Sequence, residues 1–233
     1  MKNTGRWVLR ALTGGVAVVV AACASMPGGG GGGGGAVGPM SFFVTSAGSG
    51  KGADLDGLAG ADQICQNLGA AAGAGSKTWR AYLSTQGKDG AATVNARDRI
   101  GKGPWYSQKG ELVARDVDAL HAAANNVTKQ TSLTEKGAVV SGRGDTPNRH
   151  DILTGSRTDG TAYAPGDPDM TCGNWSRSST EGAVVVGHHD RDGPTKDPWA
   201  TSWNSSHMSR GGCSQTALRG TGGDGLFYCF AAN

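Results

Sequence analysis

The sequence predicts an α+β domain, and three observations carry that expectation. Runs rich in aromatic and β-branched residues stand near both ends of the body, "MSFFVTSAG" and "GLFYCFAA". One early segment, "GLAGADQICQNLG", places Leu58, Ala61, Cys65 and Leu68 at three- and four-residue spacings. The long stretch between them is rich in Gly, Ser, Thr and Asn. Strands at the two ends, a helix near the start and a loop-rich middle fit neither an all-α nor an alternating α/β pattern.

"MSFFVTSAG" ends in turn formers and reads as a strand. "GKGADLDG" is a loop, and Asp56 is placed to cap the helix that follows. The stripe from Leu58 to Leu68 is helical and puts Cys65 on the buried face. "TWRAYLST" alternates, with Trp79, Ala81 and Leu83 facing one way and Arg80, Tyr82 and Ser84 the other, the pattern of a half-buried strand. The segment from Val94 to His121 mixes short helical pieces with turns at "GKGP" and "QKG". From Ala122 to Pro168 the chain is polar, with a short strand expected near "DILTGS". "GAVVVGHH" and "GLFYCFAA" read as strands, and pairing of the first and last strands would bring the termini together. No internal repeat is apparent.

Residues 1–22 have the layout of a secretory signal. Lys2, Arg6 and Arg10 come first, then the short apolar "ALTGGVAVVV", then small residues before Cys23. The apolar run is too short for a stable membrane span. Small residues before a cysteine resemble the bacterial lipobox, which implies cleavage before Cys23 and lipidation of its thiol; a plain signal peptide is the alternative. Residues 23–40 include an unbroken run of glycines and read as a flexible tether. Ala24 follows Cys23 where an aspartate would favour the inner membrane, so the expected location is the outer membrane or cell surface.

The net charge of +3 belongs to the signal: without its three cations the chain carries 19 residues of each sign. A neutral body argues against nucleic acid and against a polybasic membrane patch, leaving the lipid anchor as the membrane contact. Residues 41–233 are long enough for one domain. Their loop-rich composition calls for covalent staples. Beyond Cys23 four cysteines remain, Cys65, Cys172, Cys213 and Cys229, an even number that suggests two disulfides in an exported chain. Three pairings are open on spacing alone, and no CxxC or CxxH spacing points to a structural zinc finger.

"GLAGADQIC", "TWRAYLST", "CGNW", "SWNSSHMSRGGC" and "GLFYCFAAN", in this order, resemble the endostatin-like branch of the C-type lectin-like fold. They are similar to bacterial surface lipoproteins with an endostatin-like domain, the spirochaete adhesins among them, over residues 41–233. The resemblance implies nested disulfides, Cys65 with Cys229 and Cys172 with Cys213. The second would close the loop that holds "VVVGHHDRDG". It also implies an adhesin-like role with extracellular matrix proteins, serum proteins or polysaccharide as ligands. Fold resemblance does not fix function, which lives in sites.

Four candidate sites follow. The first is a metal site at His188, His189 and Asp190. On a strand His188 and His189 point to opposite faces, so His188 and Asp190 would share an ion with His207; the plain alternative is hydrogen bonding within the loop. Endostatin's own zinc ligands lie near its N-terminus, and no histidines stand at comparable positions here. The second is calcium-assisted glycan binding through Asp167, Asp169 and Asn204. Neither the "EPN" nor the "QPD" triplet of sugar-binding C-type lectins is present, and Ser205 replaces the aspartate of their "WND". The third is Arg143-Gly144-Asp145, an integrin-type tripeptide in an expected loop. The fourth is catalysis by an exported metal-dependent hydrolase, for which no GxSxG, HExxH or phosphate loop is present. The leading expectation is a non-enzymatic binding protein that needs no cofactor. Its contact surface would lie on the Cys172–Cys213 loop, with Trp199, Trp203, Asn204, His188 and His189. A calcium- or zinc-assisted lectin is the runner-up.

Overall fold

The computed structural model describes residues 37–88 and 90–233. The signal sequence, Cys23 and the glycine run lie outside these residues. Among the described residues no helix is long and apolar enough to cross a membrane.

The fold is organised by β8 (Gly223–Ala231), nine residues with eight buried. Its side chains alternate: Phe227, Cys229 and Ala231 enter one core layer, Leu226, Tyr228 and Phe230 the other. Strand β1 (Phe42–Val44) pairs antiparallel with it, Phe43 opposite Cys229, so the first and last strands lie side by side. Strand β2 (Trp79–Ala81) also pairs antiparallel with β8. Strand β5 (Asp151–Leu153) pairs with β8 in parallel, the one parallel pairing between the described strands. Beyond β5 come β6 (Val185–His188) and β7 (His207–Met208), both antiparallel to their neighbours. A separate ribbon joins β3 (Trp105–Tyr106) and β4 (Leu112–Ala114).

Helix α1 (Gly57–Ala71) buries Ala61, Cys65 and Gly69, packs on β2 and is tied to β8 through Cys65. At Gly69 a methyl group would collide with the Trp79 indole, so only glycine permits this approach. Asp56 does not cap the helix. It takes a left-handed conformation (φ 60°) and its side chain caps nothing; the loop turns sharply into the helix there. Three single-turn segments follow, α2 (Ala96–Arg99), α3 (Val117–His121) and α4 (Cys172–Trp175), and then α5 (Gln215–Thr221). Asp116 and Ser214 cap α3 and α5 through their side-chain oxygens.

"TWRAYLST" is not half-buried. Trp79, Ala81 and Leu83 face α1, but Tyr82 and Ser84 are buried as well. Ile100, Trp105, Val113 and Leu120, from the mixed segment after β2, cover that second face together with Trp203. The α+β class therefore has two core layers on either side of one sheet.

Disulfides join Cys65 to Cys229 and Cys172 to Cys213, the pairings the resemblance implies. On chain-entropy grounds they are worth about 5 and about 4 kcal/mol. Two disulfides suit an oxidising compartment outside the cytoplasm. The "CGNW" turn beside the second is held by Asn174, whose amide exchanges two hydrogen bonds with the Gln86 backbone, and by Trp175, whose indole N–H donates to Ser84 O.

Candidate functional site

The Cys172–Cys213 loop runs out along β6, turns at Asp190–Gly193, makes an excursion through Trp199 and returns along β7. Gly187 lets the return pass close: a methyl group there would overlap the Trp203 carbonyl and the Asn204 backbone. His188 N donates to Ser202 O (2.8 Å) and Ser206 N to Val186 O (2.7 Å), fixing both limbs.

This packing places most of the expected contact residues inside. Trp203, Asn204, His188 and His189 are all buried. The Asn204 amide donates to Tyr82 Oη, Arg157 O and Thr158 O, which commits it as a tie beneath the loop. Trp203 packs on Tyr82 and Tyr228. Of the expected surface set only Trp199 is exposed, at 47%.

The calcium set does not assemble. Asp167 accepts from Arg157 and from Ala164 N. Asp169 accepts from Thr171 and Gly173 N, and Asn204 is committed as above. The integrin-type tripeptide is equally occupied. Arg143 donates to Gly193 O and, through its backbone, to Asp190 Oδ2. Asp145 accepts from Lys129 Nζ (2.5 Å) and Gly142 N (2.7 Å).

A buried polar cluster does form beneath the loop, with membership different from the expected His188, His189 and Asp190. His188 and His189 point to opposite sides, as adjacent residues leaving a strand must. His189 lies alone near Ser141 O (3.3 Å), and burial pushes its pKa down to about 4. His188 meets His207 across β6 and β7, with Nε2 atoms 3.0 Å apart. The carboxylate facing them is Asp151, which lies opposite His188 in the β5–β6 register. Asp151 Oδ1 is 3.2 Å from His188 Nε2, 3.2 Å from His150 Nε2 and 3.4 Å from His207 Nε2. Asp190 stands one step back, its Oδ1 3.4 Å from His150 Nδ1. The expectation of Asp190 beside His188 fails because Asp190 has left the strand and lies in the turn. His150 and Asp151 have no motif to announce them; they enter through the β5 pairing.

The electrostatics are unusual. Burial alone would push the Asp151 carboxyl up, yet the approach of His188 and His207 holds it well below the usual carboxylate range. Asp190 is likewise held low, against its burial, by His150 and by the Arg143 and Asp192 backbone amides. The Asp151 contact raises the pKa of His207 despite its partial burial. These approaches lie at hydrogen-bond distance but not in hydrogen-bond alignment: neither Asp151 oxygen has a properly directed donor.

A second feature lies on the outer side of the loop. A cleft of about 330 Å³ is lined by His121, Asn125, Arg191, Lys196, Trp203 and Asn204 among others, with no carboxylate in its wall. His121 forms part of the floor: Nδ1 donates to Val117 O (2.8 Å), and Nε2 accepts from Tyr82 Oη (2.7 Å). Burial lowers the His121 pKa, so the ring is neutral at pH 7. Arg191 is steadied by Asn125 (3.0 Å), and Lys196 reaches Asp192 (3.1 Å).

No protein-family model matches the chain, and no curated protein matches it either.

Proposed function

We propose that this chain is an exported, lipid-tethered binding protein with an adhesin-like, non-enzymatic role, carried on an endostatin-like C-type lectin-like domain. The ligand it engages on the outer face of the Cys172–Cys213 loop is an extracellular protein or polysaccharide with acidic groups. The observation that carries this reading is the cleft with Arg191 and Lys196 in its wall and no carboxylate, formed by the disulfide-closed loop that also exposes Trp199. A cationic wall attracts acidic groups, and an exposed indole beside it supplies an anchor of the kind that dominates interfaces. The glycine-rich tether would carry this face clear of a membrane by roughly 20–25 Å on average.

The test is binding of the purified chain to a panel of matrix proteins, serum proteins and acidic and neutral glycans, with calcium and with EDTA. Trp199→Ser and Lys196→Glu alter surface side chains and should leave the circular dichroism spectrum unchanged. Binding to acidic ligands that survives EDTA and weakens at least tenfold in both variants is the expected result. Binding that neither variant affects would refute this placement of the surface. Glycan binding lost in EDTA would move the protein to a calcium-assisted lectin with ligands other than Asp167, Asp169 and Asn204.

A further inference from the structure

The cluster beneath the loop brings three imidazole nitrogens up to one carboxylate without an aligned hydrogen bond to it. His188 Nδ1 lies 2.7 Å from Ala200 O, and His207 Nδ1 lies 3.0 Å from Met208 O. A carbonyl oxygen only accepts, so each Nδ1 carries a hydrogen, and each ring, while neutral, turns a bare Nε2 inward. Those two nitrogens face each other at 3.0 Å and face Asp151 Oδ1 at 3.2 and 3.4 Å. His150 repeats the arrangement, with Nδ1 towards Asp190 Oδ1 (3.4 Å) and Nε2 towards Asp151 Oδ1 (3.2 Å). Asp151 is 2% exposed, and both its oxygens lack an aligned donor. A buried carboxylate with no aligned donor, set among three imidazole nitrogens, is costly unless a cation sits among them.

We propose that His150, Asp151, His188 and His207 form a closed, tetrahedral zinc site that clamps the Cys172–Cys213 loop to the sheet. The proposal is independent of what binds to the cleft. Zinc bonds of about 2.0–2.1 Å hold neighbouring donors about 3.3 Å apart; the three distances from Asp151 Oδ1 and the His188–His207 distance run from 3.0 to 3.4 Å, while the His150 and His188 rings, stacked 4.1 Å apart, must turn towards the ion as it binds. His150, Asp151 and His188 already place one donor each within 4.8 Å of one another. His207, half-buried on β7, is the fourth and the one nearest solvent. Three imidazoles and one carboxylate select zinc over calcium or magnesium, which need oxygen ligands, and a tetrahedral set disfavours copper(II) and nickel(II).

The surrounding shell fits as well. His188 and His207 offer their outer nitrogens to backbone carbonyls, the arrangement that orients metal-bound imidazole, and His150 Nδ1 lies 3.4 Å from Asp190 Oδ1 without an aligned hydrogen bond. Two of the facing oxygens sit on loops. Ala200 belongs to the excursion beyond β6, and Asp190 accepts from Arg143 N in the neighbouring loop. Four protein donors leave no open position for water, so the role assigned to the ion is structural. A zinc ion here would tie β5, β6, β7 and both loops together.

The experiment uses the full chain, purified without chelator and equilibrated against buffered zinc. Metal content is measured by mass spectrometry, and the visible spectrum is recorded after replacement by cobalt(II). One zinc per chain and the intense visible bands of tetrahedral cobalt are expected. His150→Ala, His188→Ala and Asp151→Asn should lose stoichiometric zinc. Asp190→Asn should weaken it about 10- to 100-fold through His150. His189→Ala and His121→Ala should retain it. His207→Ala removes a part-exposed ring and keeps the variant test available where His188→Ala does not fold. A folded wild-type chain that takes up no zinc overturns the proposal. So does a weak, octahedral cobalt spectrum, and so does one zinc per chain retained by folded His207→Ala and Asp151→Asn.

Discussion

Gly187→Ala offers a sharp test of how the long loop is held. An added Cβ at this position would lie well inside 3.0 Å of the Trp203 carbonyl and the Asn204 backbone, closer than real Cβ atoms approach anything. The obstacle is backbone, so no side-chain rotation relieves it; β6 and the returning limb must separate. Two hydrogen bonds flank the contact, His188 N to Ser202 O and Ser206 N to Val186 O. Losing both costs about 2 kcal/mol, at about 1 kcal/mol each, and the overpacking adds about 1–3 kcal/mol. A total of about 3–5 kcal/mol corresponds to a fall in Tm of roughly 6–20 °C for a domain of this size. Gly220 in α5 is the control: a methyl group there meets nothing within 4 Å, and Gly220→Ala should stabilise by up to about 1 kcal/mol through helix propensity. Thermal and urea unfolding of the two variants beside the wild type reads both signs. A Gly187→Ala Tm within about 1 °C of wild type would show that the limbs are not pressed together as described.

Two further predictions concern the rest of the domain. Asp62 accepts from Ala81 N, Arg80 and Arg99, and both Asp62 and Arg99 are largely buried; Asp62→Ala strands a buried guanidinium and should cost about 3–5 kcal/mol in urea unfolding, whereas a loss under about 1 kcal/mol would mean water already reaches the pair. Burial lowers the His121 pKa in the fold, so the unfolded chain binds the proton more readily; the stability this neutral ring contributes is present above about pH 6.5 and is lost as pH falls below it. The urea midpoint of wild type should therefore drop more steeply than that of His121→Gln between about pH 7.5 and about pH 5, and equal slopes would contradict the Tyr82–His121 geometry.

How much of this was legible in the sequence depends on whether the signal is local. The α1 stripe was visible because Leu58, Ala61, Cys65 and Leu68 repeat on one helical face. The pairing of β1 with β8 was visible because both runs are apolar and bounded by turn formers. The burial of Tyr82 and Ser84 was not, since the layer that covers them comes from residues 96–120, where short elements leave no periodicity to read. The cluster shows the same limit. That His188 and His189 must diverge follows from strand geometry. That Asp151, not Asp190, faces His188 depends on a register between β5 and β6, which the two segments do not encode separately. His150 and Asp151 sit in a polar stretch whose only signal was a short strand. Asp56 shows that a capping residue type is not a capping geometry; its left-handed backbone leaves the side chain out of reach of the helix N–H groups.

The position of β8 has a consequence for how the chain comes to be folded. Strands β1, β2 and β5 all rest on β8, and among the described elements β8 comes last. A chain that emerges N-terminus first holds the three strands for most of its passage with nothing to align against, and only the last few residues complete the sheet. Cys65 must likewise wait for Cys229, 164 positions away, while Cys172 and Cys213 pass it on the way out. Long-range closure of this kind is slow, and an early cysteine kept waiting invites wrong partners. A premature bond at Cys65 would have to be undone by thiol–disulfide exchange before Cys229 could take its place.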